Sequence, residues 1–130
     1  MQVELTKEFR FESAHRLPRV PEGHKCGRLH GHSYRLAVTV DAPVRPDGIA
    51  VDFTDLKRAV RTQVVDVLDH RYLNDYIPKS TAENTAVWIW DRLKGLPLAE
   101  ITLWETASSS VTYRGERPRR APPRGRRGRA

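Results

Sequence analysis

The even-numbered positions from 30 to 40 form one unbroken row: His30, His32, Tyr34, Leu36, Val38 and Val40. Side chains two apart on an extended strand point the same way, so this row is one face that starts with two imidazoles and continues as hydrocarbon. A chain carrying it must bury that face, and the two histidines go inward with it. Upstream, Val3, Leu5, Phe9 and Phe11 share one parity with Lys7 interrupting, which predicts a second strand over residues 2–12 that delivers His15 just past its end.

Three histidines are thereby directed at one point. Imidazole suits Zn²⁺, and three protein nitrogens leave a fourth tetrahedral position open, the arrangement of a catalytic zinc. His15, His30 and His32 are the candidate ligands. Taken alone, His15 reads equally as a hydrogen-bonded surface histidine, and the His-x-His pair is what tips the balance toward metal. The only cysteine, Cys26, lies between the histidines in the polar, basic loop Gly23-His24-Lys25-Cys26-Gly27-Arg28, where a thiolate is favoured over a packed thiol.

Further along, Pro43 to Gly48 is turn chemistry. Leu56, Val60, Val64 and Val67/Leu68 then recur at helical spacing over about 54–68, and Asp69-His70 falls where that helix stops. Ser80 and Glu83 read as a capping box for a second helix with the stripe Ala82, Ala86, Ile89/Trp90, Leu93, ended by Gly95. Ile101, Leu103 and Glu105 share a face of a third strand, and Val111 and Tyr113 mark a fourth. The expected fold class is α+β in the order ββααββ, a four-stranded antiparallel sheet with two helices on one face. The three tryptophans read as core. Asp69-His70 reads either as a capping pair or as a base with its orienting carboxylate. Glu105, on an apolar row, needs a partner, whether a salt bridge or a ligand.

The formal charge of +7 is matched by seven arginines in residues 117–130, which hold no acidic residue, so the body 1–116 is neutral. One cysteine excludes an intrachain disulfide framework, no apolar run is long enough for a membrane span, and no signal-peptide pattern opens the chain, which together predict a cytosolic (cytoplasmic) enzyme. The Arg/Pro-rich tail lacks aromatics for base stacking and any folding pattern. A disordered appendage is therefore preferred to a nucleic-acid-binding module.

Phe11-Glu12-Ser13-Ala14-His15-Arg16-Leu17 followed by Cys26-x-x-x-His30-Gly31-His32-Ser33-Tyr34 resembles the zinc site of the 6-pyruvoyl-tetrahydropterin synthase family. The three-residue gap after Cys26 is similar to its bacterial 6-carboxy-5,6,7,8-tetrahydropterin synthase branch, which serves queuosine biosynthesis. Val51-Asp52-Phe53, Leu68-Asp69-His70-x-x-Leu73-Asn74, Thr81-Ala82-Glu83-Asn84 and Glu105-Thr106 extend the likeness over roughly residues 3–116. Ser80 stands where relatives usually carry proline and Thr85 where an apolar residue is common, departures expected to leave the metal and proton-transfer groups untouched.

The resemblance implies a tunnelling fold whose subunits join into a barrel, commonly as a homohexamer (a dimer of trimers) with active sites at subunit interfaces. It also implies the substrate 7,8-dihydroneopterin triphosphate, converted with loss of acetaldehyde and triphosphate. In that reading Zn²⁺ on the three histidines acidifies the substrate side chain, Cys26 takes the proton, and His70 oriented by Asp69 moves protons on the opposite face. Glu105 and Thr106 bind the substrate, Glu105 as the anchor of the pterin ring, and Arg16, Lys25 and Arg28 are candidates for the triphosphate. The alternatives are a pyruvoyl-type synthase on the same site, a zinc and pterin binder without turnover, and a nucleic-acid binder using the tail.

Overall fold

The computed structural model of the chain describes residues 1–18, 20–21, 23–24 and 27–116. The expectations for Lys25, Cys26 and the tail 117–130 therefore lie outside the described residues. β1 (Gln2–His15) and β2 (His30–Pro43) are two long antiparallel strands in register from Gln2 opposite Pro43 to His15 opposite His30. β1 is longer than its alternation suggested, so His15 is its last residue and not a residue beyond it. The extra length puts His15 directly across from His30.

The row predicted on β2 is the core face. Leu36, Val38 and Val40 have no exposed surface and Tyr34 almost none, packed with Phe9 and Phe11 of β1. Burial of each such side chain stabilises the fold by about 1.5–3 kcal/mol. The helices cover this face. α1 (Phe53–Val60) starts at Asp52, whose side chain accepts from the Thr54 N–H, and buries Leu56 and Val60. The run continues through a π-helical stretch, Arg61–Val65, into one last α-turn, α2 (Asp66–Leu68). Wider π turns rotate the later residues back toward the core, so Val64, Val65 and Leu68 are buried with Leu56. The side chain of Arg92 donates to the Gln63 carbonyl inside this stretch at 3.0 Å.

After Leu68 the chain turns sharply. A two-residue strand, β3 (Arg71–Tyr72), pairs parallel to β1 at Ser13 and Ala14, and a 3-10 turn, Leu73–Asp75, follows. The helix α3 (Ala82–Arg92) packs against β4 (Leu98–Trp104) and β5 (Ser110–Tyr113). The sheet order is β3-β1-β2-β4-β5. Five strands replace the expected four and one pairing is parallel, because two residues with no alternation become a strand only through the free edge of β1. The cap of α3 also differs: Thr81 accepts from the Asn84 N–H at 3.1 Å, and Ser80 is not the cap. Among the described residues no helix is long and apolar enough to cross a membrane.

Candidate active site

His15, His30 and His32 converge where the β1–β2 pair ends. One ligand atom from each lies within 4.8 Å of the others, and their rings meet edge to face with centroids 4.6–5.1 Å apart. His15 is buried and the other two are half-buried. The Nδ1 of His15 donates to the Ser80 carbonyl and that of His30 to the Arg28 carbonyl, both at 2.7 Å. With the proton placed on Nδ1, each Nε2 keeps its lone pair for a cation, the outer-shell device that fixes metal-binding imidazoles. The Nε2 of His32 is buried without a hydrogen-bond partner.

Burial pushes His32 below the ordinary imidazole range. The neighbouring His15 and His30 act in the same direction and the Glu105 charge opposes them. A neutral imidazole with an orphaned nitrogen, beside two pinned ones, is a donor set that fits a divalent metal of borderline softness.

Glu105 follows β4, one step past the rung where Arg35 faces Trp104. Its Oε1 stands 3.7 Å from His32 Nε2, too far for a hydrogen bond. Beneath both residues lies Tyr34, stacked on Phe11 at 5.1 Å, with a buried hydroxyl that lacks a partner. Burial first, then the Glu105 charge, hold that phenol well above its usual range, so it stays protonated. Beside Glu105 opens a concavity of about 460 Å³ lined also by Leu17, Thr81, Ala82, Glu83 and Ser109. Thr106 is exposed in the turn that follows, where its hydroxyl accepts from the Ser108 N–H at 3.4 Å.

Asp69 and His70 sit elsewhere, at the free edge of β1. Asp69 Oδ1 accepts from the Glu12 N–H at 2.9 Å, and the His70 N–H donates to the Glu12 carbonyl at 2.6 Å. Taking both main-chain groups of one residue forces His70 to φ 58°, a left-handed conformation that costs a non-glycine residue about 1–2 kcal/mol. The Glu12 hydrogen bond, more than His70 itself, holds the Asp69 carboxyl below the usual range. Asp69 Oδ2 is 3.0 Å from His70 Nδ1, the orienting contact anticipated from sequence. The His70 side chain is 76% exposed, so the pair is assembled but open to solvent. His70, without Asp69, lines a surface concavity of about 440 Å³ with Glu12, Gly31, His32 and Ser33. Arg16 and Arg28, both exposed, share a further concavity of about 270 Å³.

One expectation fails here. Ser80, a departure thought remote from the site, is fully buried, with its carbonyl 2.7 Å and its hydroxyl 3.3 Å from His15 Nδ1. Asn74 was quoted in a motif without a role, yet it bonds to the chain on both sides of that contact. Neither was readable from spacing, because residues 65 apart meet only once α3 docks.

A family model described as 6-pyruvoyl tetrahydropterin synthase matches residues 4–116. The chain belongs to this family. The match takes in all the histidines, Asp69 and Glu105, and leaves out the arginine-rich tail. Among relatives of the 6-pyruvoyl tetrahydropterin synthase family, the 6-carboxy-5,6,7,8-tetrahydropterin synthase of Synechocystis is 40% identical, aligned over 84% of this chain and 91% of its own length. That of Haemophilus influenzae is 33% identical over 84% and 96%. The 6-pyruvoyl tetrahydrobiopterin synthase of Dictyostelium discoideum is 35% identical over 88% and 97%. The solved 6-pyruvoyl tetrahydropterin synthase of Caenorhabditis elegans superposes with a TM-score of 0.80 at 28% identity, covering 89% of this chain and 97% of that one. The fold is the family's tunnelling fold, and the chain is a pterin synthase of that family.

Proposed function

We propose that the chain is a zinc-dependent 6-carboxy-5,6,7,8-tetrahydropterin synthase, which converts 7,8-dihydroneopterin triphosphate with release of acetaldehyde and triphosphate on the way to queuosine or a related deazapurine. The observation that carries the reading is the His15, His30, His32 cluster, two of whose Nδ1 atoms are engaged by carbonyls, standing next to Glu105. Zn²⁺ held there supplies Lewis acidity toward the oxygens of the substrate side chain.

The chain's own residues do the rest. The concavity beside Glu105 takes the pterin ring, and the carboxylate presents two acceptors to the ring's N–H edge. Cys26, separated from His30 by Gly27, Arg28 and Leu29, accepts the side-chain proton as a thiolate. Asp69 holds Nδ1 of His70, so that Nε2 exchanges protons on the other face. Arg16 and Arg28, with Lys25, neutralise the triphosphate, and Thr106 supports the turn that carries Glu105.

The edge of β1 ahead of Glu12, which β3 does not cover, and the exposed ring of His70 support assembly into a barrel of several copies, a homohexamer of two trimers, in which a neighbour closes the site. Residues 1–116 form the catalytic domain, 117–130 are a dispensable appendage, and the enzyme works in the cytosol.

Relatives at like identity carry the pyruvoyl name, so the carboxy assignment rests on the three-residue gap between Cys26 and His30. The test is incubation of the Zn²⁺-loaded protein with dihydroneopterin triphosphate. Acetaldehyde with the carboxy product supports the proposal, and the pyruvoyl product alone moves the chain to that reaction. No turnover leaves a zinc and pterin binder.

A further inference from the structure

The His15–Ser80 hydrogen bond joins the end of β1 to the segment ahead of α3, and both sides of it are held by the same side chain. Asn74 Oδ1 accepts from the Arg16 N–H at 3.0 Å, while its Nδ2 donates to the Arg16 carbonyl at 2.8 Å. That fixes the residue directly after His15. The same Oδ1 accepts from the Ser80 hydroxyl at 3.0 Å, and Nδ2 donates to the Pro78 carbonyl at 3.0 Å. That fixes the segment whose carbonyl receives the His15 proton.

A carboxamide has two donor hydrogens and two acceptor lone pairs, and all four are used. Its orientation is decided by the partners, since exchanging O and N would set donor against donor at Arg16 and acceptor against acceptor at both carbonyls. Leu73, the neighbouring residue, is fully buried and anchors the backbone that carries the amide.

We propose that Asn74 is the positioning residue of the metal centre: by stapling Arg16 to Ser80 it holds His15 in the tautomer and orientation that binds the cation. The inference rests on the reading of the three histidines as a metal site and extends it to a residue whose hydrogen bonds go to Arg16, Pro78 and Ser80. Outer-shell partners of ligating histidines govern metal affinity because a free imidazole must otherwise be ordered at the moment of binding.

The experiment measures Zn²⁺ affinity by chelator competition for wild type, Asn74→Ala and Gly115→Ala, with the melting temperature of each metal-free protein alongside. Gly115, packed on Trp90, serves as a control that lowers stability at a distance from the histidines. The expected result is a roughly 10–100-fold loss of Zn²⁺ affinity in Asn74→Ala, with affinity unchanged in a Gly115→Ala protein of similar melting temperature. Equal affinity in wild type and Asn74→Ala, or equal losses in both variants, overturns the inference and leaves Asn74 a structural residue. A wild type that binds no Zn²⁺ overturns the metal-site reading itself. If Asn74→Ala does not fold, Asn74→Asp, which keeps the acceptor but loses the donors to the Arg16 and Pro78 carbonyls, must lose affinity in the same direction by several-fold, and unchanged affinity there overturns the inference.

Discussion

Glu105 Oε1 faces His32 Nε2 across 3.7 Å, and the contact is not an ion pair at neutral pH, because burial keeps the imidazole uncharged. Two functions therefore meet at one point without neutralising each other. The nitrogen stays available to a cation and the carboxylate to a donor edge in the adjoining concavity.

Replacing any one of His15, His30 and His32 by alanine leaves two protein ligands, too few for a tight site. Metal analysis after dialysis against a weak chelator is expected to find the wild type loaded and each single variant largely empty. Full occupancy in all three would remove the cluster as the metal site.

Glu105→Gln keeps the shape of the side chain but turns one of two acceptors into a donor. Against a pterin edge made of N–H groups this loses one charge-assisted bond and makes another repulsive, a cost of about 1.5–3 kcal/mol. Equilibrium titration with a pterin is expected to show affinity lowered by at least tenfold, with Zn²⁺ content unchanged. Wild-type affinity would withdraw Glu105 from the ring-binding role.

Asp69 gives the fold a pH dependence of defined sign. Its carboxyl is held below its unfolded range, chiefly by the Glu12 N–H, so the stability it contributes is present above that range and is lost as pH falls through the lowered folded pKa. Asp69→Asn should therefore melt below wild type at pH 7, and the gap should close as pH is taken below about 4. Thermal melts of both proteins from pH 3 to 7 measure it, and a gap independent of pH would contradict the assignment.

Gly115 has φ 81°, and a Cβ there would lie 2.8 Å from a ring carbon of Trp90. Gly115→Ala combines left-handed strain with overpacking against an indole and is expected to cost about 2–4 kcal/mol. Denaturant unfolding reads this directly, and a change under 1 kcal/mol, roughly the lower limit for either effect alone, would show that the segment following β5 yields without cost.

Much of this protein was legible before folding. Alternation on β1 and β2 is a property of the extended backbone, so the odd row Phe9, Phe11 on β1 and the even row Tyr34, Leu36, Val38 on β2 specified the core face, and the even row also the inward direction of His30 and His32. Helical spacing from Leu56 to Leu68 located the helix that ends at Asp69. These are local periodicities, and each residue type reports its own burial.

What the tertiary structure decided depends on groups without periodicity. β3 exists only because Arg71 and Tyr72 fall beside the unpaired edge of β1, and the positive φ of His70 arises because Glu12 offers both main-chain groups to the turn. Ser80 left the cap of α3 to Thr81, its hydroxyl being given to Asn74 and its carbonyl to His15, and Asn74 gained its role from two segments that are distant along the chain. Main-chain donors and acceptors are the same at every residue, so sequence determines which side chains turn inward, while only the docked backbone determines which carbonyl meets which imidazole.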